Sequence, residues 1–182
     1  MAGTKGNVVM FKDHPESQRE GTKAEKRFAA YCASQGIPWS KSTDYENIYE
    51  HFDCRIEWRD RTYKVDVKAI GRVQRHGCRR PDILWLEFQG VKGYEGWLLG
   101  EADAIAFEMP DGFMLAHRRQ LHQWAETVVQ PVWVEHPRDA LYKLYRRDGQ
   151  QDTCTLAKVD DITSNVLHSF VHDNQQECGR NA

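Results

Sequence analysis

The chain lacks several things that would each name a class of protein. It has no apolar run long enough for a membrane span, and its first residues, "MAGTKGNVVMFKDHPES", contain no signal-peptide core. The expected location is therefore the cytoplasm. It has no C-x-x-C pair. Its five cysteines (Cys32, Cys54, Cys78, Cys154 and Cys178) are scattered and odd in number, which points away from a disulfide framework and a zinc site. It has no excess of positive charge: the net charge of −2 excludes a basic nucleic-acid coat but leaves room for a local basic surface. Internal repeats, low-complexity tracts and a Pro/Gly/Ser linker are all missing, as are a recognition helix and a zinc module that would suggest a defined target sequence. What remains is 182 residues, 40% hydrophobic and 29% charged, suited to one soluble domain with one sizeable core. The expected division is a polar segment over 1–16, a single domain over 17–172 and a flexible tail over 173–182.

Along the chain, "SQREGTKAEKRFAAYCASQGIP" reads as a helix. Thr22 and Glu25 have capping-box spacing, Phe28, Tyr31 and Cys32 form an apolar stripe, and Gly36 before Ile37-Pro38 is a stop. Alternating segments around 51–58 and 62–70 predict two strands. "DILWLEFQG" predicts a third strand, and "ADAIAFEM" a fourth, apolar enough to lie centrally. The glycine-rich "VKGYEGWLLGE" between them predicts a loop or hairpin. "AHRRQLHQWAETVV" predicts a helix, and "DALYKLYRRDGQQDTCTLAKV" a hairpin turning at Asp148-Gly149. "DITSNVLHSFV" predicts a short last helix capped by Asp161. This order predicts a mixed α/β (α+β) domain.

The first two strands carry the most informative pattern. Phe52, Cys54, Ile56 and Trp58 alternate with Asp53, Arg55, Glu57 and Arg59; Tyr63, Val65, Val67 and Ala69 alternate with Lys64, Asp66 and Lys68. As an antiparallel hairpin, two registers keep the apolar and polar sets apart. A turn centred on Arg59-Asp60 sets Asp53 opposite Asp66. A turn centred on Asp60-Arg61 sets Asp53 opposite Lys68. In both, Asp53, Asp66 and Lys68 share a face, with Cβ atoms about 5–8 Å apart. Opposed carboxylates repel, and a hard divalent cation between them removes that repulsion; oxygen ligands suit Mg²⁺ or Mn²⁺. A lysine beside such a cation suits phosphodiester hydrolysis. Spacing alone leaves a second reading open, the solvated face of an ordinary hairpin.

A glutamate on a helix, an aspartate on a strand and Asp-x-Lys on the next strand resemble the PD-(D/E)XK nuclease superfamily. Here these are Glu25 in "GTKAEKRFAAYC", Asp53 in "HFDCRI" and Asp66-Val67-Lys68 in "YKVDVKAI". The resemblance covers about residues 20–108, and "WLEFQGVKGYEGWLLGEADAIAFE" resembles small nucleases of phages and mobile elements. It implies a restriction-endonuclease-like central mixed sheet flanked by helices, and Mg²⁺-dependent cleavage of DNA, less often RNA, with Mn²⁺ substituting. It implies Asp53, Asp66 and the backbone carbonyl of Val67 as metal ligands, Lys68 as catalytic lysine, and Glu25 reaching the metal through water. Junction resolvases of this fold are usually dimers, which makes a homodimer and a branched substrate natural expectations. A phage-encoded enzyme would work in the cytoplasm of its bacterial host. Phe52 stands where the motif's name has proline, and Gln89 and Tyr94 are one residue too far apart for the Gln-x-x-x-Tyr motif of one subgroup. Glu25 also has the capping-box reading, and Glu87 is either a further ligand or a hairpin surface residue.

"GRVQRHGCRRPD", residues 71–82, follows the second strand with Arg72, Arg75, Arg79, Arg80 and His76. This loop is the expected contact with the nucleic-acid backbone. Lys41, Lys92 and Arg118-Arg119 would extend the track, although "RRQLHQW" reads better as the face of a packed helix. Trp39, Trp97 and Trp133 are expected in the core. His117 and His122 are five apart and do not share a helical face. The expected function is a Mg²⁺-dependent DNA endonuclease; the alternatives are an exonuclease or nickase of the same fold, and a non-catalytic binding protein built on it.

Overall fold

The computed structural model describes residues 15–71, 78–166 and 168–172. Helix α1 (Pro15–Ser34) opens on a proline, whose fixed φ suits a first helical position. Ala24, Phe28 and Cys32, spaced four apart, are buried along one stripe. Gly36 ends the helix at φ 65°. Its N–H donates to Ala33 O (3.2 Å), and that of Ile37 donates to Cys32 O (2.8 Å), the two bonds of a Schellman stop. The start is earlier than the capping-box spacing predicts. Thr22 lies well inside the helix, so Glu25 caps nothing.

Strand β1 (Trp39–Lys41) leads through a π-helical turn (Glu46–Glu50) to β2 (Cys54–Trp58) and β3 (Arg61–Lys68). Then come β4 (Ile83–Gln89), a 3₁₀ turn (Trp97–Leu99), β5 (Ala104–Met109), β6 (Gly112–His117) and α2 (Arg118–Val128). The chain continues through β7 (Gln130–Val134), a 3₁₀ turn (Pro137–Asp139), β8 (Lys143–Tyr145), β9 (Thr153–Lys158), α3 (Val159–Asn165) and β10 (His168–His172).

The strands form two mixed sheets flanked by helices. A six-stranded sheet runs β1-β2-β3-β5-β6-β10, and a four-stranded sheet runs β4-β9-β8-β7. The parallel pair β3–β5 lies at the middle of the larger sheet, so "ADAIAFEM" is central as its apolarity predicts. One face of this sheet (Cys54, Ile56, Val65, Val67, Ala106, Phe113) packs on α1. Phe28 meets Phe113 edge-on, with centroids 5.0 Å apart. The other face (Ile105, Phe107, Met114, Ala116) packs on Leu84 and Leu86 of β4, Leu121 and Ala125 of α2, and Ile162 of α3.

The expected mixed sheet flanked by helices is present, and β4 lies in the second sheet, antiparallel to β9. Two expectations about the last helix are corrected. The last helix is shorter than predicted. "HSFVH" becomes β10 against β6, and Asp161, inside α3, accepts a hydrogen bond from the Tyr142 hydroxyl rather than capping. Strands β1, β6 and β7 had no expectation attached. The late hairpin is present, with Tyr145 opposite Cys154 and Gly149 at φ 68°.

Candidate active site

The β2–β3 hairpin turns on Arg59 and Asp60, at φ 50° and 61°. Positive φ at both central residues suits a type I′ turn, whose twist matches that of the strands. The register follows: Trp58 faces Arg61 and Cys54 faces Val65. This is the first of the two registers considered above. The Asp53 N–H donates at 2.9 Å to Val65 O, the residue already opposite Cys54, so Asp53 lies just beyond the regular ladder, with its carboxylate beside that of Asp66. Phe52 leaves the alternation. His51 before it is left-handed (φ 53°), and the Phe52 ring lies in the core beyond the sheet, under the Arg55 and Lys64 side chains.

The polar face of the hairpin is exposed near the turn, at Glu57 and Thr62, but not at its far end. There Asp66 is 4% exposed. Its Oδ2 is ion-paired with Lys68 Nζ at 2.8 Å. Asp53 Oδ2 accepts from the Val67 N–H at 2.7 Å, and Oδ1 accepts from the Asn47 side-chain amide. Lys68 Nζ also sits 5.0 Å from the Trp97 ring centroid, a cation–π distance.

These placements set the charges. Burial first, and then the Asp53 carboxylate, push Asp66 up to about 8 against the pull of Lys68. Burial pulls the Lys68 ammonium down, but Asp66 and Asp53 more than offset it, so its net shift is upward and it stays charged. Glu25 on α1 is raised by burial and then by Asp53, which places it on the same patch, with Lys41 Nζ 3.9 Å away. Glu87 on β4 is raised by burial and held down by Lys68 and Arg147. The His51 imidazole is lowered by burial and then by Lys68. The fold thus gathers Glu25, Asp53, Asp66, Lys68, Glu87 and His51 from α1, the hairpin and β4.

The donor set fits a hard cation. Among the described residues, no three His, Cys, Asp or Glu side chains are placed to ligate one ion. Mg²⁺, however, is commonly held by one or two carboxylates and completes its shell with water and phosphate oxygens. Asp53 and Asp66 supply that pair, with Lys68 as the ion-pair partner of Asp66 Oδ2.

A pH dependence follows. Asp66 binds its proton more tightly folded than unfolded, so its contribution to stability is full below an ordinary carboxylate pKa near 4 and is lost as pH rises through about 8. The metal-free protein is expected to melt several degrees lower at pH 8.5 than at pH 5.5. Mg²⁺ should restore more of that loss at the higher pH, where no proton competes. Thermal melts of wild type and Asp66→Asn at both pH values check this; equal slopes in the two proteins would contradict it.

Other expected residues are placed as follows. Arg72, Arg75 and His76 lie outside the described residues. Arg79 pairs with Glu20 and Arg80 with Asp82, both on the surface, where ion pairs are weak and exchange readily with a phosphate. Arg118 is buried and donates to Ala102 O (2.7 Å) and Leu98 O (3.0 Å), so it holds the fold rather than a ligand. Trp97 is buried as expected, but Trp133 is 51% exposed under Arg146. Gln89 is tied to Gly93 O and Thr153, and Tyr94 points to solvent, so no Gln–Tyr motif forms. The His117 ring accepts from Gln120 N at the start of α2, whereas His122 lies by Glu126.

Asn47, His51 and Arg147 had drawn no attention in the sequence. Arg147 spans from Glu87 (3.7 Å) to the fully buried Asp152, which also accepts from the Arg147 N–H. Arg147→Ala would leave the buried Asp152 carboxylate without its counter-charge. It is expected to cost about 2–3 kcal/mol in urea unfolding, and adding Asp152→Asn should recover part of that.

No protein-family profile and no curated protein sequence matches the chain. Among solved structures, a bacterial homing endonuclease, I-Ssp6803I, aligns over 91% of this chain and 85% of that one, at 13% identity and a TM-score of 0.38. The functional reading therefore stands on the site's own residues.

Proposed function

We propose that this protein is a Mg²⁺-dependent nuclease of the PD-(D/E)XK type that hydrolyses phosphodiester bonds in DNA as an endonuclease. One observation carries the reading: two neighbouring carboxylates, one of them buried, beside a charged lysine. A purely structural hairpin has no use for that arrangement, because burying neighbouring carboxylates is unfavourable without a cation.

In this reading Asp53 and Asp66 hold the metal, with the Val67 carbonyl as a third ligand. Bound Mg²⁺ supplies an acidified water and neutralises charge on the phosphate. The remaining work belongs to the chain. The Val67 N–H and Asn47 orient Asp53. Lys68, kept charged by its neighbours, stabilises the negative charge that grows on the phosphoryl oxygens. Glu25 accepts hydrogen bonds from water on the α1 side, and Arg147 holds Glu87 at the opposite edge. Arg72, Arg75, Arg79 and Arg80 contribute positive charge toward the phosphate backbone.

Supercoiled plasmid, linear duplex and a four-way junction, each incubated with Mg²⁺, Mn²⁺ and EDTA, test the proposal. Nicking or linearisation that needs metal, with Mn²⁺ substituting, is the expected result. Cleavage of linear DNA from its ends alone would replace the endonuclease by an exonuclease. No cleavage of any substrate in either metal would reject the proposal.

A further inference from the structure

Six large hydrophobic side chains are exposed among the described residues: Tyr45, Ile48, Tyr49, Tyr94, Val132 and Trp133. Tyr45, Ile48 and Tyr49 belong to a single turn that ends at Glu50, three residues before Asp53. Tyr45 is 65% exposed and Tyr49 62%, with ring centroids 4.9 Å apart and planes 39° to each other.

The turn carrying them is fastened throughout. Thr43 and Glu46 cap each other: the Thr43 N–H and hydroxyl donate to Glu46 Oε2 at 2.9 and 3.0 Å, and the Glu46 N–H donates back at 3.3 Å. Glu46 pairs with Arg55 of β2, and Glu50 pairs with Lys64 of β3 at 2.8 Å. Asn47 donates to Asp53, and Glu50 O accepts from the Glu101 N–H at 2.7 Å. The loop bearing Tyr94, 75% exposed, adjoins the end of the turn. There Glu95 acts on the His51 imidazole, and Gly100 lies so close that a Cβ on it would come within 2.6 Å of His51 Cβ. Glu46, Asn47 and Glu50 thus bond toward the hairpin while the aromatic faces of the turn meet solvent.

We infer that Tyr45, Ile48 and Tyr49 form a stacking platform for unpaired bases next to the scissile phosphodiester. The substrate would then be DNA with single-stranded or splayed nucleotides at the cut, such as a flap or junction, rather than continuous duplex. This rests on the nuclease reading above and narrows its substrate. Three observations favour bases as the occupant. Bases in a duplex have their faces already stacked, whereas unpaired bases stack on aromatic side chains with little regard to sequence. The carboxylates of Glu46 and Glu50 are neutralised by Arg55 and Lys64, so they do not turn a phosphate chain away. Asn47 joins the platform directly to the carboxylate that would hold the metal.

The test measures binding in EDTA, where nothing is cut. The probes are a fluorescein-labelled single strand and its duplex, with wild type, Tyr45→Ala/Tyr49→Ala and Tyr45→Phe/Tyr49→Phe. Wild type should prefer the single strand by about tenfold, the alanine pair should lose that preference, and the phenylalanine pair should keep it, at the scale of one or two stacked bases. A 2-aminopurine in the strand should change its fluorescence on binding wild type and the phenylalanine pair only. If the alanine pair, melting like wild type, binds the single strand as tightly as wild type does, the inference is overturned. Equal affinity of wild type for strand and duplex, or self-association through the tyrosines without DNA, overturns it too. Metal-dependent cleavage keeps the two claims apart. A platform that binds single strands in a protein that cuts nothing rejects the nuclease alone; cutting with no strand preference rejects the platform alone.

Discussion

Asp66→Asn is expected to abolish metal-dependent cleavage and, at the same time, to make the metal-free protein more stable. The two effects share one cause. Asp66 lies buried at the centre of the sheet, beside a second carboxylate, with Lys68 as its counter-charge. Its folded pKa of about 8 means that ionising it at neutral pH is unfavourable. An amide has the same shape and no charge to bury, which should raise the midpoint at pH 8 by about 5 °C, the size expected for a gain of one to two kcal/mol in a chain of this length. The same amide no longer ligates a hard cation well, so the rate should fall on the order of 10³-fold, more than the loss from a residue that only supports a ligand. Melts without metal and plasmid assays with it check the two halves. A structural carboxylate behaves in the opposite way: its removal destabilises the protein and leaves any activity alone.

Lys68→Ala should separate catalysis from metal binding. Lys68 Nζ lies 2.8 Å from the Asp66 oxygen that a cation would take, so lysine and cation compete for it. Removing the ammonium leaves both carboxylates in place. The rise in melting temperature on adding Mg²⁺ should therefore persist or grow in the variant, while cleavage drops about 10²–10³-fold, the range for losing one preorganised charge at the reacting group. A variant that cuts normally would remove Lys68 from the mechanism. One that loses both cleavage and the metal-induced shift would make its role structural.

Much of the site was legible because strand alternation is strict. From 53 to 58 and from 62 to 68 the apolar and polar residues trade places without a break, and that pattern admits two registers. The choice between them rested on Arg59 and Asp60 both taking positive φ, which Arg does not advertise. The helix start was harder, since Thr22 and Glu25 mimic a cap that the helix passes through. The second sheet was not legible at all: "ILWLEF" is apolar almost throughout, and nothing local says that β9, some seventy residues later, is its partner. Asn47, His51 and Arg147 reach the site by tertiary paths of the same kind. No spacing rule connects Arg147 to Glu87. "HSFV" reads equally as the end of a helix or as a strand until β6 offers it an edge.

The most direct measurement compares initial rates on supercoiled plasmid for wild type, Asp66→Asn and Lys68→Ala in Mg²⁺, each with an EDTA control. The account predicts nicking or linearisation by wild type alone, abolished by EDTA, with both variants folded and inactive. Equal cleavage by all three proteins, or cleavage by wild type that EDTA leaves untouched, would contradict it.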